Sequence, residues 1–313
     1  MSDEVATAET TPEPVTANDF MATAAMMGAF VVTILLAILF ARPFIANDLQ
    51  AFEDTGDPTN VVGYIVLLLA FTFFLLWLAR KGKKWAIQLV ILTAVGSTIA
   101  YVVGPMLNEF TDLGAGGSWG IGIALAAIGT AALYFRPEWY VVDAVGVTVS
   151  AGAAAIFGIS LEPWLVVVML VLLAVYDAIA VYRTKHMLDL ADTVIDLRLP
   201  ILLVIPKHRG YSFLKEAAKF KEAGPDNKAE REAFFLGLGD LVMPTILVVS
   251  SMIFLGIQEA VLGAAIGTLV GFAVLMGFVL KGNPQAGLPL LNGGAITGFL
   301  AGLYAATGSI VFW

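Results

Sequence analysis

Long apolar runs broken by short polar stretches dominate the chain, and at about 18 to 23 residues each run is long enough to cross a bilayer as a helix. The runs fall at 20–40, 61–78, 85–106, 119–135, 139–159, 163–182, 233–255, 260–280 and 289–312. None shows the strict alternation of a half-buried strand, so the fold class expected is an all-α polytopic membrane protein with nine transmembrane helices. Residues 1–19 precede the first run as an acidic, Thr- and Pro-containing tail with no Lys or Arg, the composition of a disordered segment. Because that tail lacks the basic region of a signal peptide, the first run is expected to be a retained helix. The chain thus divides into the tail 1–19, helices one to six over 20–182, a polar loop over 183–232, and helices seven to nine over 233–313.

Charge adds an orientation. Arg80, Lys81, Lys83 and Lys84 follow the second run, Arg136 the fourth, ten Lys or Arg residues between Arg183 and Arg231 the sixth, and Lys281 the eighth. These loops all lie on one side of the membrane, and only Arg42 lies on the other. Cytoplasmic loops carry the basic excess, so the N-terminus and the loop 183–232 are expected inside and the C-terminus outside, in a cell membrane. The formal net charge of −8 names no partner, because the acids lie mostly in the tail and the loops, and nucleic acid is not expected. The chain has no cysteine, which excludes thiolate nucleophiles and cysteine metal sites.

Within the loop, Met187, Leu190, Ala191 and Val194 share one helical face while Asp189, Asp192, Thr193 and Asp196 share another, as in an interfacial amphipathic helix. Residues 199–206 form a short apolar run between two prolines, suited to a strand whose edge could pair with an unwound substrate. In the eighth and ninth runs, Gly263, Gly267 and Gly271 and then Gly294, Gly298 and Gly302 recur every four residues, which predicts close helix packing.

Three acids lie well inside apolar runs, Asp143, Asp177 and Asp240, and a carboxylate at membrane depth costs enough to call for a reason. Asp177 stands six residues before Arg183, roughly 9 Å deep at helical rise, and Asp240 stands eight residues after Glu232, roughly 12 Å deep from the same face. Two level carboxyls on consecutive spans could share one proton, one activating water and the other donating to a peptide carbonyl. The same pair could instead carry protons or cations in a transporter, or simply bond across helices. Asp143 is expected to be interfacial or structural.

The surroundings separate these readings. Tyr176-Asp177 and Gly237-Leu238-Gly239-Asp240 resemble the YD and GxGD motifs of the presenilin and signal peptide peptidase family, and Pro289-Leu290-Leu291 resembles its PAL motif with Leu290 in place of Ala. The resemblance is most like an archaeal presenilin homologue, and it implies an intramembrane aspartyl protease that hydrolyses peptide bonds within single-span substrate helices. It implies catalytic roles for Asp177 and Asp240, and substrate-binding roles for Tyr176, Gly237, Leu238, Gly239, Pro289, Leu290 and Leu291. It implies no metal or cofactor, no obligate partner subunits, and action in the lipid bilayer as a monomer or homo-oligomer. The inward N-terminus matches presenilin and not signal peptide peptidase. The alternative, a proton- or cation-coupled transporter, would use the same aspartates. Zinc and serine protease mechanisms fail on inventory, since the two histidines, His186 and His208, both lie in the loop.

Overall fold

A computed structural model describes residues 16–184, 202–208, 210–213, 232–281 and 285–311. Among these, nine helices are long and apolar enough to cross a membrane. They are α1 (Ala17–Ala46), α2 (Thr59–Arg80), α3 (Lys84–Phe110), α4 (Gly114–Phe135), α5 (Trp139–Ser160), α6 (Pro163–Ile179), α7 (Leu238–Ser250), α8 (Gln258–Val279) and α9 (Gly287–Thr307). Helix α6 continues as a π-helical turn, Ala180–Thr184, and α7 as another, Ser251–Leu255. The amphipathic helix expected from Met187 to Asp196 lies outside the described residues, as does most of the charged stretch that follows it.

Helix ends follow local chemistry more than apolar length. Helix α1 begins three residues before its apolar run because Thr16 and Asp19 form a reciprocal capping box, each side chain bonding the other's backbone. Helix α9 stops at Gly308, whose φ of 70° is a left-handed cap, five residues short of the C-terminus. The largest difference is in the seventh run. Residues 233–255 read as one helix, but Ala233–Gly237 is a strand, β2, which pairs antiparallel with β1, Leu202–Pro206. A five-residue apolar stretch rich in Phe suits either state, and the extended Gly237 (φ −62°, ψ 135°) marks the break. Helical rise therefore does not describe the path from Glu232 to Asp240, and the depth estimate built on it is replaced by a strand followed by one helical turn.

Helix α7 is the most enclosed of the nine and α2 the least. Ile246, Leu247, Val248 and Val249 of α7 are fully buried in a core shared with α1, α5, α6 and α9, and Leu241 is fully buried in a second core shared with α1, the two strands, α8 and α9. Gly158 of α5 makes room for Val249, since a β-carbon there would meet its side chain at 2.5 Å. Helices α8 and α9 form the tightest pair. Backbone carbonyls of Gly294 and Gly298 press on Gly267 and Gly263, those of Gly267 and Gly263 press back, and the Leu290 carbonyl presses on Gly271. Each step of four along α8 is matched by a step of four backwards along α9, so the pair is antiparallel and joined backbone to backbone, as the glycine spacing predicts.

Candidate active site

Asp177 sits in the last helical residues of α6, just before the π-helical turn, and is 8% exposed. Asp240 sits in the first turn of α7, three residues after β2 ends. Pro244 lies one turn further on and has no N–H to offer the Asp240 carbonyl, so the backbone at the acid is freed from its usual helical bond. Both carboxyls stand against the first two residues of α9, Asp177 against Leu288 and Asp240 against Gly287. Sequence-consecutive spans therefore bring the two motif aspartates to one place.

The start of α9 fits between them. The Leu288 N–H donates to Asp177 Oδ2 at 3.1 Å. A β-carbon on Gly287 would stand 3.2 Å from Asp240 Oδ2, so this residue's bare backbone faces the second acid. An N-terminal helical amide is a free donor, and a carboxylate oxygen is its natural acceptor. Nearby, the Tyr182 hydroxyl donates to Gln285 Oε1 at 2.6 Å, tying the end of α6 to the approach to α9. One turn beyond Leu288, Asn292 is fully buried and donates from Nδ2 to the Leu170 carbonyl of α6 at 3.0 Å.

The other motif residues fall into distinct positions. Gly237 faces Asp240, with its would-be β-carbon 3.6 Å from Oδ2, while the space around Gly239 is open within 4 Å. Leu238 turns away and packs over Gly146 of α5. Tyr176 is half exposed, as its place a third of a turn from Asp177 requires. Pro289 and Leu290 are partly buried and line a groove of about 610 Å³ along the outer face of α8 and α9, whereas Leu291 is fully buried. Leu290 does not hold α9 away from the acids, because Leu288 reaches Asp177 directly. Gly287 and Leu288 themselves were not singled out from the sequence: they act through backbone, and only their place just before Pro289 marks them.

The family model described as signal-peptide peptidase, presenilin aspartyl protease matches residues 27–308. This chain belongs to that family. A solved structure of a presenilin family intramembrane aspartate protease in space group C222 is 41% identical, with a TM-score of 0.67, covering 91% of this chain and 99% of that one. Another such structure, in space group P2, is 42% identical, with a TM-score of 0.66, covering 90% of this chain and 97% of that one. No curated protein matches the chain. The chain is a presenilin-type intramembrane aspartyl protease, an aspartic endopeptidase that spans the membrane many times. Family membership removes the transporter alternative.

Proposed function

We propose that Asp177 and Asp240 are the catalytic pair and that they cleave the transmembrane helices of single-span substrates. The observation that carries this is the convergence of both acids on the first two residues of α9. Two carboxyls in electrostatic contact away from bulk water hold one proton between them. Asp177 Oδ2 accepts the Leu288 N–H, so the shared proton resides on Asp177 Oδ1 or on Asp240. The ionised member takes a proton from water as its oxygen bonds to the scissile carbonyl carbon, and the protonated member donates to the carbonyl oxygen. Collapse of that adduct breaks the C–N bond, and the proton first taken from water passes to the departing amine.

A helix must unwind before its peptide bond can be attacked, and the β-hairpin offers the unwound segment a template. Lys207 N–H donates to the Glu232 carbonyl across the hairpin, which fixes the ladder parity: Leu203, Ile205 and Lys207 bond inward, while Leu202, Val204 and Pro206 face away. On that far side of β1, Pro206 has no N–H and the Val204 N–H is taken by Asp143 Oδ1 at 2.7 Å. The edge expected at 199–206 is thus closed from Val204 onward. Among the described residues the edge without a ladder partner belongs to β2, where Phe235 and Gly237 point their backbone groups away from β1 and Gly237 faces Asp240, while Ala233 is buried. Substrate adds as a strand to β2 and is delivered by it to the acids.

The basic loops support an inward N-terminus and a cytoplasmic loop 183–232, so substrates present their N-terminus outside. Backbone N-methylation of a single-span substrate beside its scissile bond tests strand addition. Cleavage by the wild-type protein drops at least about tenfold when the methylated amide is one that would pair with β2. Unchanged cleavage of every singly methylated substrate contradicts the proposal.

A further inference from the structure

The third intramembrane acid is not part of the pair, and its surroundings give it a different task. Asp143 lies on α5, whose inner end faces the hairpin along several residues. Glu138 accepts the Ser212 hydroxyl at 2.9 Å and the Phe213 N–H at 3.2 Å. One turn on, Val142 is buried. Asp143 accepts the Val204 N–H at 2.7 Å, and Gly146 seats Leu238, the first residue of α7. One face of α5 therefore holds the far edge of β1, the turn after it, and the residue two before Asp240.

We infer that Asp143 is a positioning residue for substrate: by bonding the far edge of β1 it fixes the hairpin laterally, and so sets where the open edge of β2 presents a substrate strand to the acids. This rests on the strand-addition reading above. The charge of Asp143 is not what the task needs. The task needs an acceptor at this depth, since the Val204 N–H has no ladder partner and would otherwise be left unpaired in an apolar setting. Other ties to the hairpin are weaker in this respect. Lys207 reaches Asp19 at 3.4 Å, but its side chain is 35% exposed and the bond fixes only the strand's end. No such slack exists at Val204, in the middle of β1.

The experiment is steady-state cleavage of a reconstituted single-span substrate, with products sized by mass spectrometry, for wild type, Asp143→Ala, Asp143→Asn and Val204→Pro. Asp143→Asn keeps a carbonyl acceptor and behaves as wild type. Asp143→Ala raises KM by about five- to tenfold with kcat within about twofold, and spreads cleavage over neighbouring peptide bonds. Val204→Pro removes the same bond from the donor side without touching the ladder, and reproduces the Ala pattern; adding Asp143→Ala to it has no further effect. A uniform fall in folded protein that lowers rate without moving KM or the cleavage positions overturns the inference, as does an Asn variant no better than Ala. The N-methylated substrates separate the two levels of the argument. If methylation blocks wild-type cleavage while Asp143→Ala leaves KM and products unchanged, strand addition stands and Asp143 is not its positioning residue. If methylation is harmless, the docking reading fails and the role of Asp143 falls with it.

Discussion

At the paired acids the tolerances are those of single methyl groups. A β-carbon on Gly287 would stand 3.2 Å from Asp240 Oδ2 and 3.4 Å from its Cγ, tighter than ordinary contact, so the acid or the start of α9 must shift to admit it. Gly287→Ala is expected to lower kcat by about ten- to a hundredfold while thermal unfolding in detergent barely moves, because a small misplacement of a catalytic group is felt far more in rate than in stability. Gly239, with open space around it, accepts Ala with a much smaller loss in the same assay. The cost of an acid in an apolar run made Asp177 and Asp240 readable from sequence, and their flanking motifs made them readable as a pair. Gly287 and Leu288 were not readable. A bare glycine and a backbone amide leave no mark in side-chain chemistry, and the motif that follows drew attention two residues downstream. The sequence marks Asp143 as interfacial or structural, and its bond to Val204 gives the structural reading a partner.

Among the elements, the α8–α9 pair depends on backbone meeting backbone. A β-carbon on Gly267 or Gly298 would collide with a carbonyl of the opposite helix, which cannot rotate out of the way as a side chain could. Gly267→Ala and Gly298→Ala should each destabilise the protein by about 1–3 kcal/mol, read as a lowered Tm in detergent. Gly277→Ala, on the same helix with nothing within 4 Å, should leave Tm unchanged or slightly raised, since Ala is the better helix former. If all three variants melt alike, glycine packing is not what holds the pair. This spacing was legible because a four-residue glycine period has one common use between membrane helices. The β-hairpin was half legible. The prolines around 199–206 pointed to a strand, but its partner was hidden inside an apolar run long enough to be read as a single helix. Length decides membrane spans well and decides the first turn of a span poorly, and here that turn holds Asp240.

For the molecule as a whole, nine spans were legible from apolar length, and the family and solved structures agree with the layout. Orientation is a separate proposal that rests on where Lys and Arg fall. A chain free of cysteine allows a direct test: Ser309→Cys in sealed right-side-out vesicles should react with a membrane-impermeant maleimide, and His208→Cys should react only after permeabilisation. The reverse pattern would place the loop 183–232 outside and change which end of a substrate is presented. The central claim concerns the pair itself. Its most direct measurement is cleavage of a reconstituted single-span substrate by the wild type, Asp177→Ala and Asp240→Ala, each variant first shown to melt cooperatively. The account predicts that the wild type cuts within the substrate helix and that each single replacement reduces cutting to background; cutting by either variant at the wild-type rate and position would contradict it.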